Sequence, residues 1–187
     1  MSHTTIQILD KRFQTYITRE RIGERARTLG EQITQDYAPR IVDVSSPLVL
    51  LSVLNGAFMF MADLCRELGV PNQIVFTRLS SYHGGTSTSG RVEQPVPIEV
   101  DLRGRHVLIV EDIVDSGLSL SYLRREVERE EPASLATVAL LHKREVAQVE
   151  VPLEYVGFEI PNEFVVGYGM DYAEQGRHLA DIHTLCE

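Results

Sequence analysis

The stretch Val107-Leu108-Ile109-Val110-Glu111-Asp112-Ile113-Val114-Asp115-Ser116-Gly117-Leu118-Ser119-Leu120 joins an apolar run, three carboxylates and a glycine turn flanked by hydroxyls. An unbroken β-branched run is the pattern of a strand covered on both faces, because a strand with one wet face alternates apolar and polar residues. The acids that follow fall at the carboxyl end of that strand, where open α/β sheets bind ligands. Gly117 permits a tight turn, the amides behind it open a helix, and Ser116 and Ser119 add hydroxyls. That combination suits a monophosphate, although residues 115–119 equally make an ordinary helix cap. Adjacent Glu111 and Asp112 favour the ligand: two carboxylates at the end of a buried strand cost free energy unless they are solvated, paired or facing polar groups. A vicinal diol and a magnesium shell both suit them. Diol and phosphate side by side describe a ribose 5-phosphate.

On either side of this stretch, strand and helix patterns alternate. Residues 6–9 read as a short strand. Thr18 offers an N-cap for a helix in which Ile22, Ala26, Leu29, Ile33 and Tyr37 recur at helical spacing, ending before Pro39. Pro47 opens the apolar run 48–54, which Asn55-Gly56 breaks. A second helix follows with Phe58, Met61, Ala62, Cys65 and Leu68 on one face, closed by Gly69 and Pro71. Residues 73–79 suggest another strand, and 80–90, rich in Ser, Gly and Thr around Tyr82 and His83, a loop that closes over a ligand. After the central strand come a helix through Leu120, Leu123 and Val127, stopping at Pro132, a strand over 134–141, and shorter β segments at 155–158 and 164–166. The alternation predicts an α/β fold: a Rossmann-like parallel sheet with right-handed crossovers, flanked by helices on both faces.

Composition limits the chemistry. With 187 residues, 43% of them hydrophobic, the chain supplies one ordinary core, so a single domain over residues 1–187 with a small accessory lobe is expected. The net charge of −9, from 18 basic and 27 acidic side chains, argues against nucleic acid or an anionic membrane as partner. An anionic substrate must then be held by local donors, backbone amides or a divalent cation. Cys65 and Cys186 have no metal or redox spacing and fit a reducing cytoplasm. The six histidines, at 3, 83, 106, 142, 178 and 183, show no ligand spacing either. The polar N-terminus predicts no signal peptide, and no apolar run approaches membrane-spanning length.

The central stretch resembles the 5-phosphoribosyl pyrophosphate (PRPP) motif of the type I phosphoribosyltransferases: an apolar strand, two acids, two apolar residues, Asp, Thr or Ser, Gly, any residue, Thr or Ser. Leu140-Leu141-His142-Lys143-Arg144, Val156-Gly157-Phe158-Glu159-Ile160-Pro161 and Phe164-Val165-Val166-Gly167-Tyr168-Gly169-Met170-Asp171-Tyr172 are similar to the hypoxanthine-guanine branch, as are Ser81-Tyr82 and Phe58-Met59-Phe60-Met61-Ala62-Asp63-Leu64. The resemblance extends in order over residues 48–178. It implies the type I fold with a hood drawn from the N-terminal and C-terminal segments, and a purine salvage transferase that makes IMP or GMP and pyrophosphate from PRPP and hypoxanthine or guanine.

Carried over by residue, the resemblance implies that Glu111 and Asp112 address the ribose hydroxyls and Mg²⁺, and that Asp115, Ser116, Gly117, Leu118 and Ser119 hold the 5-phosphate. Asp115 would also accept the purine's proton. Lys143 would donate to the 6-oxo oxygen, which disfavours adenine because an ammonium has donors only. Phe164 would stack on the purine and the Val165 backbone would read its edge. Asp171, beside the base, belongs with a second magnesium, and Arg177 with pyrophosphate. Ser81-Tyr82 would close as a lid against water. At Asn55-Gly56 the chain departs from many relatives, which carry Lys or Arg before the glycine and present amides to pyrophosphate through a cis peptide; the charged contact is missing here, and the sequence leaves the isomer open. A homodimer or homotetramer in the cytoplasm is the family's expectation. Two rival readings keep the fold: a non-catalytic regulatory protein that binds PRPP or nucleotide, and a transferase that prefers xanthine.

Overall fold

The computed structural model describes residues 5–81 and 92–186. Its main sheet has six strands in the order β5 (Val92–Val96), β4 (Asn72–Ser81), β3 (Leu48–Leu54), β6 (His106–Val114), β7 (Ser134–His142) and β8 (Tyr155–Glu159). All neighbours are parallel except β5, which runs antiparallel to β4 at the edge. That edge is where a strand containing Pro95 is tolerated, since proline cannot donate to a ladder. The central position of β6 follows from its composition: Val107 to Val110 are fully buried. Leu108 and Val110 face a core shared with α1 (Arg19–Tyr37) and α2 (Phe58–Glu67), whereas Val107 and Ile109 face Leu120, Leu123 and Val127 of α3 (Leu118–Arg129). Helices on both sides leave no wet face to impose alternation.

The helix α1 buries Ile22, Ala26, Leu29, Ile33 and Tyr37, and the Thr18 hydroxyl accepts from the Arg21 amide at its N-terminus. Along α2 the expected face is displaced. Phe60, Met61 and Leu64 are buried, while Phe58 and Ala62 are exposed and Cys65 is half-buried. The helix is apolar around most of its circumference, so spacing alone does not select the side that meets the sheet.

A second, four-stranded antiparallel sheet, in the order β1 (Thr5–Ile8), β2 (Lys11–Ile17), β10 (Ile182–Leu185) and β9 (Val165–Val166), forms the hood. It pairs the two ends of the chain, with Phe13 opposite Leu185 and Ile17 opposite Ile182. Neither β2 nor β10 is expected from the sequence. Phe13 and Ile17 are the buried anchors of an otherwise polar β2, and His183 and Thr184 are buried inside β10.

The helix α3 is tied to β7 by Arg124, whose side chain is 10% exposed. Its Nη1 donates to Thr137 Oγ1 at 2.7 Å, to the Pro152 carbonyl at 3.2 Å and to Glu154 Oε2 at 3.2 Å. Glu154 Oε2 also accepts from the Thr137 amide at 2.6 Å. Truncation leaves the Thr137 hydroxyl and the Pro152 carbonyl without this donor, so Arg124→Ala should lower unfolding stability by about 1–3 kcal/mol. Urea denaturation of the two proteins checks this.

Candidate active site

The turn between β6 and α3 depends on Gly117. Gly117 has φ +78°, and any Cβ there would run into the Val149 carbonyl, so glycine is required on two counts. The 147–149 segment supports the turn from beneath, with the amides of Gln148 and Val149 donating to the Ser116 carbonyl at 3.0 and 3.2 Å. The N-cap residue makes no side-chain cap, and the first turn of α3 holds no acid. Ser116 Oγ accepts from the Leu118 amide at 3.4 Å. The first intrahelical bond is Ser121 to Gly117, which leaves the amides of Ser119 and Leu120 at the helix mouth. They border a cavity of about 200 Å³ lined by Glu111 and residues 115–117.

Glu111 and Asp112 point away from each other, because successive side chains of a strand alternate between faces. Glu111 lines the turn cavity; Asp112 lines a second one of about 370 Å³. Burial drives the Glu111 carboxyl well above the usual carboxylate range, and the Asp112 charge adds to it. Burial likewise pushes Asp112 up to about 6, with Asp171 raising it further, while backbone amides and the Arg177 guanidinium oppose the shift. Buried Glu111 and partly buried Asp112 make no ion pair within 4 Å among the described residues, so both are suited to meet polar groups of a ligand.

The second cavity gathers residues that are distant in sequence: Asn55, Gly56, Asp112, Asp115, Lys143, Phe164, Val165, Asp171 and Arg177. Lys143 follows β7 with its side chain 9% exposed, and its Nζ donates to Asp115 Oδ2 at 3.2 Å. It is therefore not a solvated lysine at a strand end. Arg177 pairs with Asp171 at 2.6 Å and donates to the Gly169 carbonyl at 2.7 Å. The Phe164 ring is 45% exposed and forms a wall of the cavity rather than part of the core. Phe13 and Tyr172 hold its position at centroid distances of 6.3 and 5.9 Å, and Lys11 Nζ lies 6.0 Å from its centroid. Sequence reasoning missed Lys11 and Tyr172. Tyr172 adjoins Asp171 in the chain, but no local signal connects it, or Lys11 on the N-terminal hairpin, with Phe164.

Asn55 and Gly56 form the floor. The cis peptide bond is Leu54–Asn55, one position before Asn55–Gly56. A Cβ at Gly56 would overlap the Asp112 carboxylate, and one at Gly169, with φ +99°, would overlap the Gly56 carbonyl, so the two loops touch through glycines. Of the expected lid, Ser81 ends β4 and Tyr82 lies outside the described residues.

The three carboxylates expected around metal, Glu111, Asp112 and Asp171, do not converge. Among the described residues no group of three or more metal-ligating side chains is assembled. The two-residue period of β6 sends Glu111 to the opposite face, and Asp171 is engaged by Arg177. What remains fits a hard cation that takes one or two carboxylates and completes its shell with water and the oxygens of a bound phosphate compound. No helix among the described residues is long and apolar enough to cross a membrane.

The phosphoribosyl transferase domain family matches residues 17–173. The chain belongs to the phosphoribosyltransferase family, on its hypoxanthine-guanine branch. Hypoxanthine phosphoribosyltransferase of Salmonella typhimurium is 49% identical over 166 residues, covering 89% of this chain and 91% of that protein. Hypoxanthine-guanine phosphoribosyltransferase of Mycobacterium tuberculosis is 47% identical over 169 residues, covering 90% and 84%. The solved structure of the Trypanosoma cruzi hypoxanthine phosphoribosyltransferase in complex with its product IMP superposes with a TM-score of 0.88, at 42% identity and 97% coverage of both chains. The five-stranded parallel sheet and its helices are thus the type I phosphoribosyltransferase fold.

A raised carboxyl pKa opposes folding at high pH. Below the unfolded value both states of Asp112 are protonated and it has no effect; as pH rises from about 4 through about 6, its ionisation increasingly disfavours the folded state. In metal-free buffer, Asp112→Asn should therefore gain about 1–3 kcal/mol of stability over wild type at pH 7.5, and much less at pH 4.5. Denaturation curves at the two pH values check the sign.

Proposed function

We propose that this phosphoribosyltransferase transfers the 5-phosphoribosyl group of PRPP to hypoxanthine or guanine, forming IMP or GMP and releasing pyrophosphate. The observation that carries the reading is the 3.2 Å pair of buried Lys143 and half-exposed Asp115, set between the phosphate turn and the open face of Phe164. The base stacks on Phe164 with its 6-oxo oxygen toward Lys143, a donor that a 6-amino purine cannot use. N9 of the purine forms its bond to C1 of the ribose as the bond from C1 to the pyrophosphate oxygen breaks, and Asp115 takes the proton from N7. The amides and hydroxyls of residues 115–119 anchor the 5-phosphate, and Glu111 and Asp112 address the ribose hydroxyls from the two faces of β6.

The leaving diphosphate lies between the backbone of the Asn55-Gly56 turn and Arg177, whose guanidinium stabilises the charge developing there. Asp112 and Asp171, which line the same cavity, are the carboxylates that would hold magnesium, and the ion when bound would supply charge shielding to the diphosphate. The chain works as a homodimer or homotetramer in the cytoplasm; the adjacent exposed side chains of Ile74 and Phe76 on β4 support self-association.

Incubation with PRPP and magnesium should give nucleotide with hypoxanthine or guanine and little with adenine. Product with xanthine alone would redirect the specificity, and no product with any base would leave a binding protein. Asp115→Asn should lower turnover by roughly 10²–10⁴-fold while keeping PRPP affinity. Phe164→Ala should weaken purine binding by roughly 1–3 kcal/mol with little loss of stability, readable by calorimetry and thermal melting.

A further inference from the structure

Outside the groups that line the site, α2 presents Asp63 to Tyr168, 105 positions away in the chain. Tyr168 is 4% exposed, and its hydroxyl donates to Asp63 Oδ2. Asp63 Oδ1 is engaged by Arg66, one turn further along the helix. Burial, and then the bond to Asp63, push the phenol upward, so it remains a donor through the neutral range. Tyr168 lies in the bend that connects the base end of the C-terminal loop, Phe164 and Val165, to its charged end, Asp171 and Arg177. Its amide donates to the Leu179 carbonyl at 2.7 Å, and the next amide, of Gly169, donates to the Arg177 carbonyl at 2.9 Å. The helix α2 starts directly after the Asn55-Gly56 turn, and the amide of its first residue, Phe58, donates to the Asn55 carbonyl at 3.4 Å.

Two attachments therefore join the loop of Arg177 to the element that carries Gly56. One is the packing of Gly169 on the Gly56 carbonyl; the other is Tyr168 on Asp63, about 10 Å further along the helix. A single contact would leave a pivot. The second removes it and sets the separation of Arg177 from the Asn55-Gly56 backbone. We infer that Asp63 and Tyr168 are positioning residues for the diphosphate half of the site, acting through Gly56 and Arg177 and not on the purine. This rests on the placement of the diphosphate between those two groups.

The test uses the full chain and reads PRPP affinity by calorimetry, KM for PRPP and hypoxanthine in the forward direction, and KM for pyrophosphate with IMP in reverse. Tyr168→Phe should weaken PRPP and raise the KM of PRPP and pyrophosphate by roughly three- to tenfold, the range of one buried hydrogen bond, with the KM of hypoxanthine unchanged. Asp63→Leu, at a partly exposed position, should do the same, and combining the two should add nothing. Asp63→Asn keeps an acceptor oxygen and should restore near-normal values. Unchanged PRPP and pyrophosphate parameters in folded variants, or a parallel rise in the KM of hypoxanthine, overturn the inference. A wild-type protein that binds PRPP but makes no nucleotide overturns the catalytic reading instead, and the calorimetric comparison of variants still decides the positioning role.

Discussion

Burying both faces of β6 is the constraint from which the rest of the molecule follows. A strand without a solvated side must be roofed by helices above and below, which dictates parallel neighbours and crossover connections on each side. It also means that any polar residue on the strand has to wait until the apolar run ends. Glu111 and Asp112 stand at that limit, and the strand's two-residue period directs one toward α3 and the other toward the hood. The division of the site into a turn cavity and a larger cavity is thus a property of pleated backbone rather than of the residues that line either space.

The larger cavity belongs to neither sheet alone. Asp112, Asp115 and Lys143 come from the ends of main-sheet strands, whereas Phe164, Val165, Asp171 and Arg177 come from the loop that joins β8 to β10 through the hood. The glycines at 56 and 169 let these two sources meet at backbone distance, where side chains would hold them apart. Charge is distributed in the same manner. Lys143 and Arg177 are each paired with an aspartate, while burial raises Glu111 and Asp112, the latter with partial relief from backbone amides and Arg177. In an acidic chain this arrangement keeps cationic groups local to the places where phosphate oxygens would need them.

The parallel part of the main sheet was legible because its signals are local, namely the apolar runs of β3 and β6, the 3.6-residue spacing of α1 and the glycine before α3, whereas the antiparallel edge strand β5, short and interrupted by proline, was not. The hood was not, because β2 and β10 are stabilised by pairing with one another and bury only a few anchors such as Phe13 and Ile17 among polar neighbours. On α2 the opposite problem arose, since apolar residues on nearly every side concealed which face is covered. For the site, residue types and order carried the phosphate turn and the resemblance, whereas the burial of Lys143, the supports of Phe164 by Lys11 and Tyr172, and the contact of Asp63 with Tyr168 depend on distant segments meeting. The opposed directions of Glu111 and Asp112 were available from strand periodicity, but reading the two acids as one motif obscured it.

The pairing of β2 with β10 has a temporal consequence. The wall that carries Phe164 rests on Phe13, and the sheet that holds both closes only when residues near 15 and near 183 are brought together. Contacts of such sequence separation form late, because the entropy of closing the intervening loop is lost before any contact compensates it. The turn at residues 115–119, whose hydrogen-bonded supports reach no further along the chain than Val149, does not depend on that late pairing, whereas the wall that carries Phe164 does. The two cavities thus differ in what completes them: the turn cavity is lined by residues no later than Leu120, whereas the cavity walled by Phe164 is finished only with the closing strand of the hood.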